Sequence, residues 1–136
     1  MKRILTLLAL VAVLLPLEAR KKDRVKVSCV GDSITYGMKL ENREKEAYPF
    51  QLQEMLGDGY EVGNFGKSGA TLLRHGHRPY FDQKEFRDAL DFAGDIVVIH
   101  LGINDTDPRN WPHYSAEFVD DYLALIDSLK SRNPKA

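Results

Sequence analysis

Residues Val27 to Gly37 read VSCVGDSITYG: a short apolar run, then Gly31-Asp32-Ser33, then a second glycine. The run from Val25 to Val30 (VKVSCV) reads as a strand. A serine just past a strand end is either a nucleophile presented at a sheet edge or a turn residue bonding its own backbone. The rest of the chain discriminates between the two.

Downstream, strand and helix patterns alternate, as in a parallel sheet with helices packed on its faces. Tyr48 to Leu56 (YPFQLQEML) reads as a helix with Phe50 or Leu52, Met55 and Leu56 on one face, stopped by Gly57-Asp58-Gly59. Tyr60 to Asn64 is a short second strand, and the turn FGKSGAT leads toward a helix from about Asp82 to Phe92 whose Phe86, Leu90 and Phe92 face the sheet. Ile96 to Leu101 (IVVIHL) has the β-branched content of a fully buried strand. Ser115 is positioned to cap a last helix carrying Phe118, Tyr122, Leu125, Ile126 and Leu129 at helical spacing, ended by Asn133-Pro134. Thr71 to Tyr80 carries neither pattern and is expected on the surface over the strand ends.

Each strand is followed by a glycine-bearing turn: Gly31 to Ser33 (GDS), Gly66 to Gly69 (GKSG) and Gly102 to Asp105 (GIND). Parallel strands bring all three turns to one edge, where open α/β sheets hold their ligand crevice. Together the motifs GDSITYG, NFGKSGAT and LGIND resemble the first three sequence blocks of the SGNH (GDSL-type) hydrolases, from about Val25 to the last residue. SGATLLRHGHRPY and GINDTDPRNW are similar to a secreted bacterial branch of carbohydrate or sialate O-acetylesterases. The resemblance implies a flavodoxin-like α/β fold over residues 24–136, three-layered with helices on both faces of a parallel sheet and lacking the family's last strands. It implies Ser33 as nucleophile, with an oxyanion hole built from the Ser33 and Gly69 backbone N–H groups and the Asn104 side chain.

The chemistry fits those residue types. Acyl transfer passes through a tetrahedral oxyanion, and a donor fixed where that charge develops lowers the barrier by on the order of 3 kcal/mol. Gly69 suits a main chain that approaches substrate closely, whereas Gly66 is expected to serve the turn itself. Asp32 and Asp105 flank the motifs. They read first as turn carboxylates bonding nearby backbone N–H groups, ahead of a triad role. Both stay in the substrate-contacting set with Tyr80 and Trp111, two aromatics that would form a sugar-stacking wall or pack against the rim.

A serine nucleophile requires a positioned base, usually a histidine oriented by a carboxylate. In the family that pair comes from a later Asp-x-x-His block, absent from these residues. The four histidines fit no such context. His75 and His77 are candidates to line the crevice, His100 reads as a hydrogen-bonded core or strand-end residue, and His113 follows Trp111-Pro112 in a loop. Without characteristic ligand spacing, neither metal nor other cofactor is expected.

The 136 residues are 43% hydrophobic and 29% charged, the balance of one ordinary domain, and the net charge of -1 gives no reason to expect nucleic acid as a partner. Met1-Lys2-Arg3 precede an apolar run from Ile4 to Leu15, then Pro16 and Ala19. This predicts a signal peptide over residues 1–19, with export to the periplasm or medium and no lasting membrane insertion, since a spanning helix needs about 18 apolar residues. The lone Cys29 reads as a small core residue.

The expected function is therefore hydrolysis of a short acyl ester, acetyl first, on a carbohydrate. Alternatives are a lysophospholipase- or arylesterase-like hydrolase and a noncatalytic carbohydrate-binding module. The missing block predicts an N-terminal part of a longer enzyme, nearly inactive alone and without a sharp cooperative melt.

Overall fold

The computed structural model describes residues 23–136; the expected leader lies outside them. Three strands, β1 (Val25–Gly31), β2 (Tyr60–Gly66) and β3 (Ile96–His100), form one sheet in the order β2-β1-β3, and both pairings are parallel. Strand β1 lies in the middle, so Val27 to Gly31 are buried, including the free Cys29 at 0% exposure. The strands that flank it are two residues longer and one shorter than the sequence pattern indicates. Phe65 and Gly66 join β2, whereas Leu101 leaves β3.

Two crossovers carry the first four helices. α1 (Ser33–Tyr36), α2 (Arg43–Glu46) and α3 (Tyr48–Leu56) lie between β1 and β2. The third has the bounds its sequence predicts, with Pro49 in its first turn, where a missing N–H leaves no bond unmade. Gln53 ties its end to the sheet: the side-chain oxygen accepts from Val62 N–H at 2.8 Å and the amide donates to the Tyr60 carbonyl at 3.2 Å. Contrary to the predicted apolar face, Met55 is 76% exposed.

Between β2 and β3 runs α4 (Lys84–Phe92), preceded by a single 3₁₀ turn over Tyr80–Asp82 that shortens the expected helix by two residues. After β3 come α5 (Trp111–Tyr114) and α6 (Phe118–Arg132). Ser115 does not cap α6; it opens a 3₁₀ turn, Ser115–Glu117, that feeds into the helix.

The core gathers Val30, Ala70, Leu72, Tyr80, Ala89, Leu125 and Leu129, with Phe86, Leu90, Phe118 and Tyr122 packed against it. Each fully buried leucine contributes about 1.5–3 kcal/mol through removal of its side chain from water. Two expectations fail here. β3 is not buried on both faces: Val97 and Ile99 pack inward, while Ile96 and Val98 are 48% and 38% exposed. Thr71 to Tyr80 is not merely a surface loop, because Thr71, Leu72, Leu73 and Tyr80 are all 0% exposed. Their backbone N–H groups are satisfied without a regular helix or ladder, which helps an irregular segment enter a core. Thr71 N–H donates to the Arg78 carbonyl at 2.9 Å, and Asp105 serves the next two N–H groups. Among the described residues no helix is long and apolar enough to cross a membrane.

Candidate active site

The register fixes where the three turns lie. Gly31 at the end of β1 is level with Gly66 on one side and with His100 on the other. Ser33, Gly69 and Asn104 follow those level ends by two, three and four residues, so all three emerge at the same sheet edge. Direct bonds hold the turns together. Lys67 N–H donates to the Gly31 carbonyl at 2.8 Å, joining the second turn to the first strand. Asn104 Nδ2 donates to the Ala70 carbonyl at 2.9 Å, joining the third turn to the second.

Ser33 is the first residue of α1 and is half-buried. Asp32 caps that helix, its carboxylate accepting from Ile34 N–H at 2.9 Å. At 0% exposure Asp32 is a positioning residue beneath the serine, as its turn reading held, and cannot touch substrate directly. The helix itself is seated by the sheet. Asn64 Nδ2 donates to the Thr35 carbonyl at 2.8 Å, and a Cβ on Gly66 would collide with the backbone of Thr35 and Tyr36. Gly66 therefore does more than serve its turn: it lets α1, and with it Ser33, lie directly on the end of β2.

Gly69 has φ +77°, a left-handed conformation that costs a residue with a Cβ about 1–2 kcal/mol. A Cβ there would meet only Arg78, at 3.5 Å from Nη1, so backbone conformation rather than crowding selects glycine. Among the described residues neither the Ser33 nor the Gly69 N–H has an acceptor, and Asn104 keeps a second amide hydrogen beyond the one given to Ala70. Three uncharged donors are thus available at one edge.

Besides Asp32, two substrate-contacting assignments are corrected, Asp105 and Tyr80. Asp105 is 0% exposed and spends both oxygens on the backbone, accepting from Leu72 N–H at 2.9 Å and Leu73 N–H at 2.7 Å. Tyr80 is a core residue whose hydroxyl donates to the Phe65 carbonyl at 2.6 Å; burial holds that hydroxyl far above the usual tyrosine range. Trp111 is 43% exposed and packs edge-on against Phe118, with ring centroids 5.5 Å apart.

The histidines do not supply a base. His75 Nδ1 lies 2.7 Å from Glu117, and that carboxylate raises the imidazole pKa. His77 is held through its N–H by Asn110, 2.9 Å away, while His100 ends β3 and His113 lies in α5, both exposed. No histidine is hydrogen-bonded to Ser33 among the described residues.

Two contributors were missed in the sequence. Asn110, 0% exposed, donates to the Asn104 carbonyl at 2.9 Å and so fixes the third turn; an asparagine among loop residues gives no signal of this. Tyr48 lines the groove beside Ser33, its hydroxyl 3.3 Å from Thr35 Oγ1, with burial pushing its pKa up to about 12. The groove holds about 520 Å³ and includes Ile34, Met38 and Leu40.

The sheet thus carries a serine at the helix start after β1 and three uncharged donors at the same edge. The GDSL-like lipase/acylhydrolase family model matches residues 29–136, and the chain belongs to that family. It is 47% identical over 112 residues to an acetylxylan esterase of Xylanibacter ruminicola, covering 82% of this chain and 23% of that protein. Its fold matches the crystal structure of AlinE4, an SGNH-hydrolase family esterase, with a TM-score of 0.59 at 21% identity over 82% of this chain and 56% of that one. A variant of AlinE4 matches with a TM-score of 0.58, over 81% of this chain. The chain thus spans about a quarter of its curated relative and just over half of the solved esterase.

Proposed function

We propose that the protein hydrolyses short acyl esters of a carbohydrate, acetyl first among them, through an acyl-enzyme on Ser33. The observation that carries this reading is the placement of Ser33, Gly69 and Asn104 past three level strand ends, with unspent donors on each. Ser33 Oγ attacks the ester carbonyl as its proton passes to a base. The oxyanion then accepts hydrogen bonds from the Ser33 and Gly69 N–H groups and from Asn104 Nδ2. Collapse expels the sugar oxygen, which takes a proton, and water then releases the acid and restores Ser33.

The similarity to an acetylxylan esterase supports acetyl and sugar as the two halves of the substrate. The apolar run from Ile4 to Leu15 supports export. One feature favours a longer acyl chain: Ile34, Met38 and Leu40, in the groove with Ser33, are 54%, 52% and 40% exposed. The test is acid release by the full-length protein from acetylated xylo-oligosaccharides and from aryl acetate, butyrate and octanoate. We expect acetate to lead, and Ser33→Ala to lower turnover by about 10³-fold or more. Undiminished activity in Ser33→Ala would overturn the proposal; octanoate in the lead would shift it to the longer acyl chain.

A further inference from the structure

A second, polar pocket of about 300 Å³ lies beside Gly69, lined by Tyr36, Lys67, Ser68, Arg78 and Glu85, and no role proposed so far uses it. Its walls belong to the site. Tyr36 is on the same helix as Ser33, Ser68 precedes Gly69, and Arg78 Nη1 would lie 3.5 Å from a Cβ on Gly69. From these walls we infer that the pocket is the subsite for the sugar carrying the ester, with Glu85 and Arg78 as its specificity-determining residues. The inference rests on the esterase reading and adds where the leaving group sits.

Two features of the polar groups point to a ligand rich in hydroxyls. Glu85 accepts from Lys67 Nζ at 3.0 Å through Oε1, yet its Oε2 is buried and has no hydrogen-bond partner among the described residues. A buried carboxylate oxygen without a donor is costly, and a turn of the Glu85 side chain toward the pocket would let a sugar hydroxyl donate to it. Arg78 is exposed and forms no salt bridge or side-chain hydrogen bond among the described residues, so its guanidinium is free to donate to hydroxyl or ring oxygens. Ser68 adds a hydroxyl able to donate or accept.

Tyr36 completes the pocket with an aromatic ring, 38% exposed, against which the apolar face of a sugar can lie. The Arg43 guanidinium carbon lies 4.3 Å from its centroid and covers one face of the ring. The volume is at the small end of ligand pockets, roughly 300–1,000 Å³, which suits one saccharide unit rather than a long chain. The groove that contains Ser33 is the more apolar of the two, with Ile34, Met38 and Leu40 in its lining beside Lys39, Glu46 and Tyr48.

The test compares Glu85→Gln and Arg78→Ala with the unaltered full-length protein on an acetylated xylo-oligosaccharide and on aryl acetate, which has no sugar. The expected result is a KM for the sugar ester raised by about tenfold in each variant, with kcat/KM for aryl acetate changed less than twofold. Titration of Ser33→Ala with deacetylated xylo-oligosaccharide gives a readout independent of turnover, and adding Arg78→Ala should weaken that binding by a similar factor. Equal losses on both esters would assign the residues to holding Gly69 and overturn the subsite, as would unaltered sugar-ester kinetics. Failure of the esterase reading is distinct: Ser33→Ala would then leave both esters hydrolysed.

Discussion

Asp105 shows how a residue in a catalytic-looking motif can work by holding its neighbours. Its carboxylate receives the Leu72 and Leu73 N–H groups inside the core, so Asp105→Ala strands two buried donors. We expect urea unfolding to show a loss of about 3 kcal/mol, with Asp105→Asn, which retains one acceptor, losing less. A loss below about 0.5 kcal/mol in both variants would refute this role. Tyr48 makes a prediction of another kind. Burial raises its pKa from 10.0 to about 12, so the folded protein holds a proton that the unfolded chain has already released. That stabilisation is whole below 10.0 and is lost as pH rises through about 12, and the urea midpoint should fall across the window. Tyr48→Phe should remove part of the fall, leaving the part due to Tyr80. At this scale the sequence made the turns that carry Ser33, Gly69 and Asn104 legible, because each glycine-bearing turn directly follows its strand in the chain. Tyr80 and Asp105 were misplaced because burial depends on how a patternless segment closes over the core. Asn110 was invisible because its partners, Asn104 and His77, are brought to it only by folding.

Among elements, the short helix α1 matters most, because its seat on β2 aims Ser33. Gly66→Ala places a methyl group against the Thr35 and Tyr36 backbone, with 2.7 Å left to the Thr35 carbonyl carbon. Backbone cannot yield as a side-chain tip does, so the helix must shift. Destabilisation of about 1–3 kcal/mol is expected, together with a loss of turnover larger than that of Gly69→Ala, which meets no backbone. Equal activity in Gly66→Ala and the unaltered protein would show that the seat of α1 is irrelevant to Ser33. The contact between His75 and Glu117 ties the loop after β2 to the turn that opens α6. The carboxylate raises the imidazole pKa above 6.5, so its stabilisation is present below that value and lost as pH rises through the higher one. NMR titration should find the His75 midpoint lowered toward 6.5 in Glu117→Gln; an unmoved midpoint would contradict the pairing. Helix α3 was readable to the residue, since Pro49 and the Gly57 stop mark both ends. The first two helices, α1 and α2, span four residues each and are too short to show a period. The exposed face of β3 was also unreadable, since β-branched content is the same whether one face or two are covered.

At the scale of the molecule, parallel pairing turns sequence distance into proximity. Residues 33, 69 and 104 share an edge only because β2-β1-β3 is parallel and level, and the alternation of strands and helices was enough to foresee that. Two hollows lie near that edge, a groove that contains Ser33 with Ile34, Met38 and Leu40 in its lining, and a more polar pocket beside Gly69. An ester of a small acid with a sugar likewise has two parts, a hydrocarbon part and a polyol part joined at the carbonyl.

The central claim is that Ser33 becomes acylated. Full-length protein mixed with aryl acetate, quenched in acid during turnover and digested, should yield the peptide spanning Ser33 with the added mass of one acetyl group. Fragmentation should place that mass on Ser33, and Gly69→Ala should slow its appearance. Turnover with the peptide unmodified throughout, or with the acetyl group on another residue, would contradict the account.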